Sequence, residues 1–181
     1  MSAIVASEIK TRYSVVTGSA GNSVAGTAAG SLGKYISQTD WTGGSLNDLF
    51  DDISSAENAA STADYRCIFI YNSNTANAMQ NTVVFLSAEV SGGASIAIGV
   101  DTIAASSLTS SSAQGLLIAN ETTAPAGVTF TSPTTAGAGI AVGTIGVGQV
   151  KAIWIRRTAA NTAALSNDGV TFQFNCDTGA L

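Results

Sequence analysis

The chain has 181 residues, 45% of them hydrophobic and only 10% charged, with a net charge of −5 and no histidine. The length fits one domain with a real core, and the negative balance argues against a nucleic-acid partner. The missing histidine removes the commonest general base, the commonest metal ligand, and the Ser-His and Cys-His routes to an activated nucleophile.

The first eight residues lack a basic region and a long apolar run, so no signal peptide is expected. Glu8-Ile9-Lys10-Thr11-Arg12-Tyr13-Ser14-Val15-Val16-Thr17 alternates and predicts a strand, with Lys10 and Arg12 guarding an edge or meeting a subunit. Residues 18–33 are rich in Gly, Ala and Ser and carry too little apolar bulk to fold alone. A loop that long implies a job, and ordering on a neighbouring subunit would be one. The chain therefore divides into an N-terminal strand and arm, 1–33, and a sandwich domain, 34–181.

A short strand is expected around Tyr35-Ile36-Ser37. Ser45, with Asp48 three residues on, then reads as a helix cap, and Leu46, Leu49, Phe50 and Ile53 recur on one helical face. The spacing predicts a helix over 45–53 and a polar loop over 54–64. Asp48, Asp51 and Asp52 point in different directions on such a helix, which suits a solvated face better than a calcium loop. Strands follow at 65–72, 82–90 and 94–100, with weaker ones at 115–119, 127–130 and 139–142. Residues 101–148 hold only two charges, Asp101 and Glu121. The clearest strand is 149–157. Ile153 and Ile155 fall on one side of its pleat, and Ala152, Trp154 and Arg156 on the other, so both faces should be covered and the strand central. A last strand at 169–175 turns Phe172 and Phe174 inward. The expected fold is all-β: an antiparallel β-sandwich, jelly-roll or Ig-like, with one short helix and an extended N-terminal arm. No apolar stretch is long and unbroken enough to span a bilayer.

No catalytic, cofactor-binding or metal-binding residue is assigned, and no cofactor. Lys34 and Lys151 lack a flanking serine motif, and nothing in sequence brings Glu57, Asp64 and Glu121 together. Trp41, between Asp40 and Thr42-Gly43-Gly44, is the candidate platform for a stacked sugar, whereas Trp154 reads as core. Cys67 shares a face with Tyr65, Phe69 and Tyr71, and Cys176 with Phe172 and Phe174; two buried thiols or a disulfide both fit. Arg156 and Arg157 read as strand-end contacts that pair with acids of this chain or of a neighbour.

Several stretches recur in a familiar order. They are Ala6-Ser7-Glu8-Ile9-Lys10, Leu32-Gly33-Lys34-Tyr35-Ile36-Ser37, Leu46-Asn47-Asp48-Leu49-Phe50-Asp51-Asp52-Ile53 and Tyr65-Arg66-Cys67-Ile68-Phe69-Ile70. Thr123-Ala124-Pro125-Ala126-Gly127-Val128-Thr129-Phe130 and Ala152-Ile153-Trp154-Ile155-Arg156-Arg157 follow. This order resembles a family of small virion structural proteins of tailed bacteriophages, over nearly the whole chain. It departs from the family pattern after Arg157, where Thr158-Ala159-Ala160-Asn161 has no proline. The resemblance implies a particle component without enzymatic activity. The expected role is a capsid decoration (cement) protein that binds the major capsid protein and stabilises the head. It would be a homo-oligomer, expected as a trimer, with no direct nucleic-acid or membrane contact, located in the virion and made in the host cytoplasm. The alternatives are a tail, neck or fibre-associated protein, or a carbohydrate-binding module for host adhesion.

Overall fold

The structure is a computed structural model that describes residues 3–18, 24–163 and 165–180. Its strands are β1 (Ile9–Val15), β2 (Tyr35–Asp40), β3 (Ala63–Asn72), β4 (Asn77–Glu89), β5 (Ser95–Val100), β6 (Ser106–Ser107), β7 (Ile140–Ile145), β8 (Gln149–Thr158) and β9 (Val170–Ala180), with one α-helix, α1 (Ser55–Ala60). They form two antiparallel sheets, one ordered β2-β1-β3-β8-β5 with β6 also on β8, the other β7-β4-β9. This is the expected all-β sandwich. Among the described residues no helix is long and apolar enough to cross a membrane.

β8 is central, as its pattern requires. β3 pairs with nearly its whole length, from Tyr71 opposite Val150 to Ala63 opposite Thr158. On its other side β5 covers Ile153 to Thr158, and β6 covers Gln149 and Val150. Between β5 and β6 the chain leaves the sheet at Asp101 and returns at Ser106. Lys151 fills that gap: its Nζ donates to the carbonyls of Asp101 (2.6 Å) and Ile103.

Alternation sends the two faces of β8 into different cores. Ile153 and Ile155 join Ile68 and Ile70 of β3, Ile96 and Ile98 of β5, Met79, Val84 and Leu86 of β4, and Val142 and Ile145 of β7 between the sheets. Ala152 and Trp154 join Cys67, Phe69, Ile36 and Ile118 on the opposite face. That face is roofed by chain rather than by a sheet, with Leu32, Leu108, Leu116, Val128 and Phe130 packed on it. Trp154 is fully buried, and its Nε1 donates to Asp101 Oδ2 at 2.7 Å. The Asp101 carboxylate also accepts from Leu116 N at 2.8 Å and Ile103 N at 2.7 Å. A buried carboxylate is tolerable because three N–H groups face it. Gly33 crosses above Trp154 at φ +95°, where a Cβ would run into the Leu116 carbonyl and the indole ring.

The weaker strands expected within the roof divide. Of the stretch 139–142, residues 140–142 lie in β7, which extends to Ile145. Residues 115–119 and 127–130 are not strands; their neighbourhood holds only single bridges, Gly33 with Leu117 and Ile98 with Thr131. Chain lying across a sheet face rather than beside an edge has no ladder to join. The segment expected as an arm begins inside the sandwich, since β1 pairs with β2 and β3. Residues 24–33 also stay on this chain: Cys67 N donates to Ser31 O, Ile118 N to Leu32 O and Gln38 N to Val24 O. Residues 19–23 of the Gly-rich run lie outside the described residues.

The helix expected over 45–53 is absent, and one forms at Ser55–Ala60 instead, inside the stretch read as a loop. Leu49 is buried but Leu46 is 77% exposed, and Asn47 adopts φ +57°, which interrupts a right-handed helix. Ser54 and Glu57 make the reciprocal capping box. Glu57 N donates to Ser54 Oγ at 3.3 Å, and Ser54 N to Glu57 Oε2 at 2.7 Å. The Ser54 side chain, then the Ser54 N–H, holds the Glu57 carboxyl below its ordinary pKa.

Candidate functional site: the cleft at the end of the sandwich

Where the sheets end near α1, the segment 41–55 and the segment 160–170 stand apart across a cleft of about 850 Å³. Ile96, Ile155, Arg157 and Phe172 line its depth, and Trp41 one side. Because residues 41–54 lack regular structure, side chains rather than a ladder tie them down. Tyr13 Oη donates to the Asp48 carbonyl (2.7 Å) and lies 2.9 Å from Asp48 Oδ1. Burial, then this bond and charge of Asp48, push the Tyr13 phenol up to about 12. On the opposite wall, Asp168 Oδ2 accepts from Ala94 N at 2.6 Å.

Beside the cleft is a charged cluster with a strand-encoded origin. β3 alternates so that Asp64 and Arg66 continue the inward row of Ile68 and Ile70, and Asp64 lies opposite Arg157 of β8. Arg157 Nη2 donates to Asp64 Oδ2 at 2.8 Å, with both side chains buried, and also meets Asp51 Oδ1 at 3.4 Å. Its Nη1 donates to the Asp51 carbonyl. Two guanidinium groups lie over the Phe50 ring, Arg157 at 4.8 Å and Arg66 at 5.7 Å from its centre. Arg66 pairs in turn with Glu121 from the roof. The cluster therefore locks the 41–55 segment and the roof to the sandwich. Asp48, Asp51 and Asp168 are all engaged in holding chain.

The residues singled out in sequence thus go to different places. Arg157 pairs with acids of its own chain, Asp64 and Asp51. Arg156, on the other face, lies over Phe130 at 5.4 Å. Glu57, Asp64 and Glu121 do not form one site: Glu57 caps α1, while Asp64 and Glu121 each hold an arginine. Trp41 is half-buried, packs on the inter-sheet core, and meets Phe172 edge-on at 5.7 Å, so its ring serves packing on that side. Lys34 lies over the Tyr35 ring at 5.2 Å. Both cysteines are free, and the six-stranded sheet separates them: Cys67 points to the roof, Cys176 to the inter-sheet core. Burial, then the nearby Asp101 charge, raises the Cys67 thiol well above its usual range, which disfavours the reactive thiolate. Burial likewise raises Cys176, followed by Asp177. Among the described residues no three His, Cys, Asp or Glu side chains are grouped to hold a metal ion.

Asp101 and the Asp64–Arg66 row are what sequence reasoning missed. Signals existed: Asp101 is an isolated acid in a charge-poor stretch, and Asp64 and Arg66 share the parity of two isoleucines.

No protein-family model, curated protein or solved structure matches the chain.

Proposed function

We propose that this chain is a structural subunit of a tailed-phage virion, a decoration protein that sits on the outer shell against the major capsid protein. The observation that carries the reading is the outer surface of the smaller sheet. Thr171, Gln173 and Asn175 of β9 are exposed there, with Ala141 and Thr144 of β7 exposed on the neighbouring strand. None of these is charged, and of the exposed residues of β9 only Asp177, near its end, is. A surface that becomes the centre of an interface favours such residues, because each charge would have to be desolvated. Only 10% of the whole chain is charged, in keeping with a subunit much of whose surface is covered. The order of segments that resembles virion structural proteins points to the same reading. Of the acids that line the cleft, Asp48, Asp51 and Asp168 hold loops in place.

A head packed with DNA presses outward on its shell. Apolar surface buried between decoration and capsid subunits, at about 25 cal/mol per Å² before association costs, offsets that pressure. The deciding experiment counts this chain in purified particles and heats particles with and without it. Copy numbers comparable with the major capsid protein, and earlier rupture without the chain, are expected. A few tens of copies or fewer, or presence only in isolated tails, would replace this role with the tail, neck or fibre-associated one.

A further inference from the structure

The edges of the larger sheet are closed by this chain itself. At β2, Gln38 N donates to Val24 O and Ile36 N to Gln114 Oε1, both at 3.0 Å. At β5, Ile98 and Thr131 exchange both backbone bonds, at 2.8 and 3.0 Å, and Ala94 N and Ile96 N are taken by the carboxylates of Asp168 and Glu89. Where β3 runs beyond β1, Ser31 and Glu121 carbonyls accept from Cys67 N and Tyr65 N.

β9 differs. β4 lies on one side of it, and among the described residues no strand lies on the other. Its parity is readable. The carbonyl of Gly169 accepts from Val90 N, and that of Thr171 from Ser87 Oγ, so odd-numbered residues turn their backbone groups toward β4. Val170, Phe172, Phe174, Cys176 and Thr178 then turn theirs to the open side. The register shifts of this pair fall where β4, not β9, carries the extra residue, so β9 runs regularly for 11 residues. It holds no lysine, arginine or proline, and one acid, Asp177. These are the devices that normally blunt an edge, and β9 lacks them. A groove of about 270 Å³ runs between Val170, Phe172 and Phe174 and residues 41–44.

We propose that the open edge of β9 pairs, antiparallel, with β9 of a second copy of this chain about a two-fold axis. The strand is self-complementary in charge and length. A register centred on Asn175 overlays all 11 residues. It sets Phe174 opposite Cys176 of the second copy, Phe172 opposite Thr178, and Asp177 opposite Gln173, so no like charges meet. β7, the other edge of this sheet, is a weaker mate: it has six residues and an irregular register with β4. An isologous antiparallel pair closes as a dimer, an alternative to the trimer expected from sequence. The contact needs no particle, so its failure leaves the virion role standing, and failure of that role leaves this contact standing.

Sedimentation or light scattering of the full chain over a concentration series tests it. The wild type should have the mass of a dimer. Thr178→Pro removes an N–H that faces the second copy, once in each strand, and should give a monomer; Thr178→Val, which loses only the Oγ1 that accepts from Ile4 N, should stay a dimer. Asn175→Lys, on the exposed face, places two lysines opposite each other and should weaken the dimer several-fold. Gln173→Lys meets Asp177 and should leave it intact. A wild-type monomer at every concentration overturns the proposal. So does a dimer that neither Thr178→Pro nor Asn175→Lys weakens.

Discussion

Tyr13 lies on β1, yet its phenol works on a different segment, through Asp48. The fold keeps that phenol protonated, with its pKa raised from 10.0 to about 12. The sign follows: the protonated form is favoured in the folded state. This contribution is whole below pH 10 and is lost as pH climbs from 10 through 12. Absorbance titration of the four tyrosines should show one ionising near 12, and Tyr13→Phe should remove that late step. Four tyrosines titrating together in the folded protein would contradict it. Arg157 makes a similar point about local reading. Its need for an acid is visible in the sequence, but the choice of Asp64 depends on the register between β3 and β8.

At the scale of elements, the two helix signals competed on different terms. Ser45 with Leu46, Leu49, Phe50 and Ile53 offers a periodic apolar face, but only Leu49 of the four is fully buried. A short helix survives only where its apolar face is packed, whereas the Ser54–Glu57 box satisfies backbone groups locally. The change from β5 to β6 along β8 carries its own local chemistry. Lys151 satisfies the carbonyls the sheet leaves, and the Asp101 carboxylate ties the outgoing loop to Trp154 and to the roof at Leu116. Asp101→Ala would orphan three N–H donors at once, two backbone and one indole. A loss of about 3 kcal/mol or more is expected from urea denaturation. Trp154 fluorescence should shift red as the roof loosens. A loss under about 1 kcal/mol would mean that the carboxylate is not what holds the roof.

The whole molecule is a sandwich with a third layer of irregular chain. Cys67 reports on that layer, because it lies between the six-stranded sheet and the roof. With a thiol reagent Cys67 should stay silent in the native protein and react only on unfolding, while half-buried Cys176 reacts slowly beforehand. Equal native rates would show that the roof opens freely. The sequence by itself determined the strands whose side chains alternate or are apolar on both faces: β1, β3, β5, β8 and β9. It determined the sandwich class and the centrality of 149–157, since a strand apolar on both faces must be covered twice. These are periodic properties of a few adjacent residues. Only the tertiary structure decided what covers the second face of β8, which acid each arginine meets, which helix forms, and which strand edge stays open. Those outcomes depend on contacts between residues far apart in the chain, and no local pattern of alternation or capping encodes them.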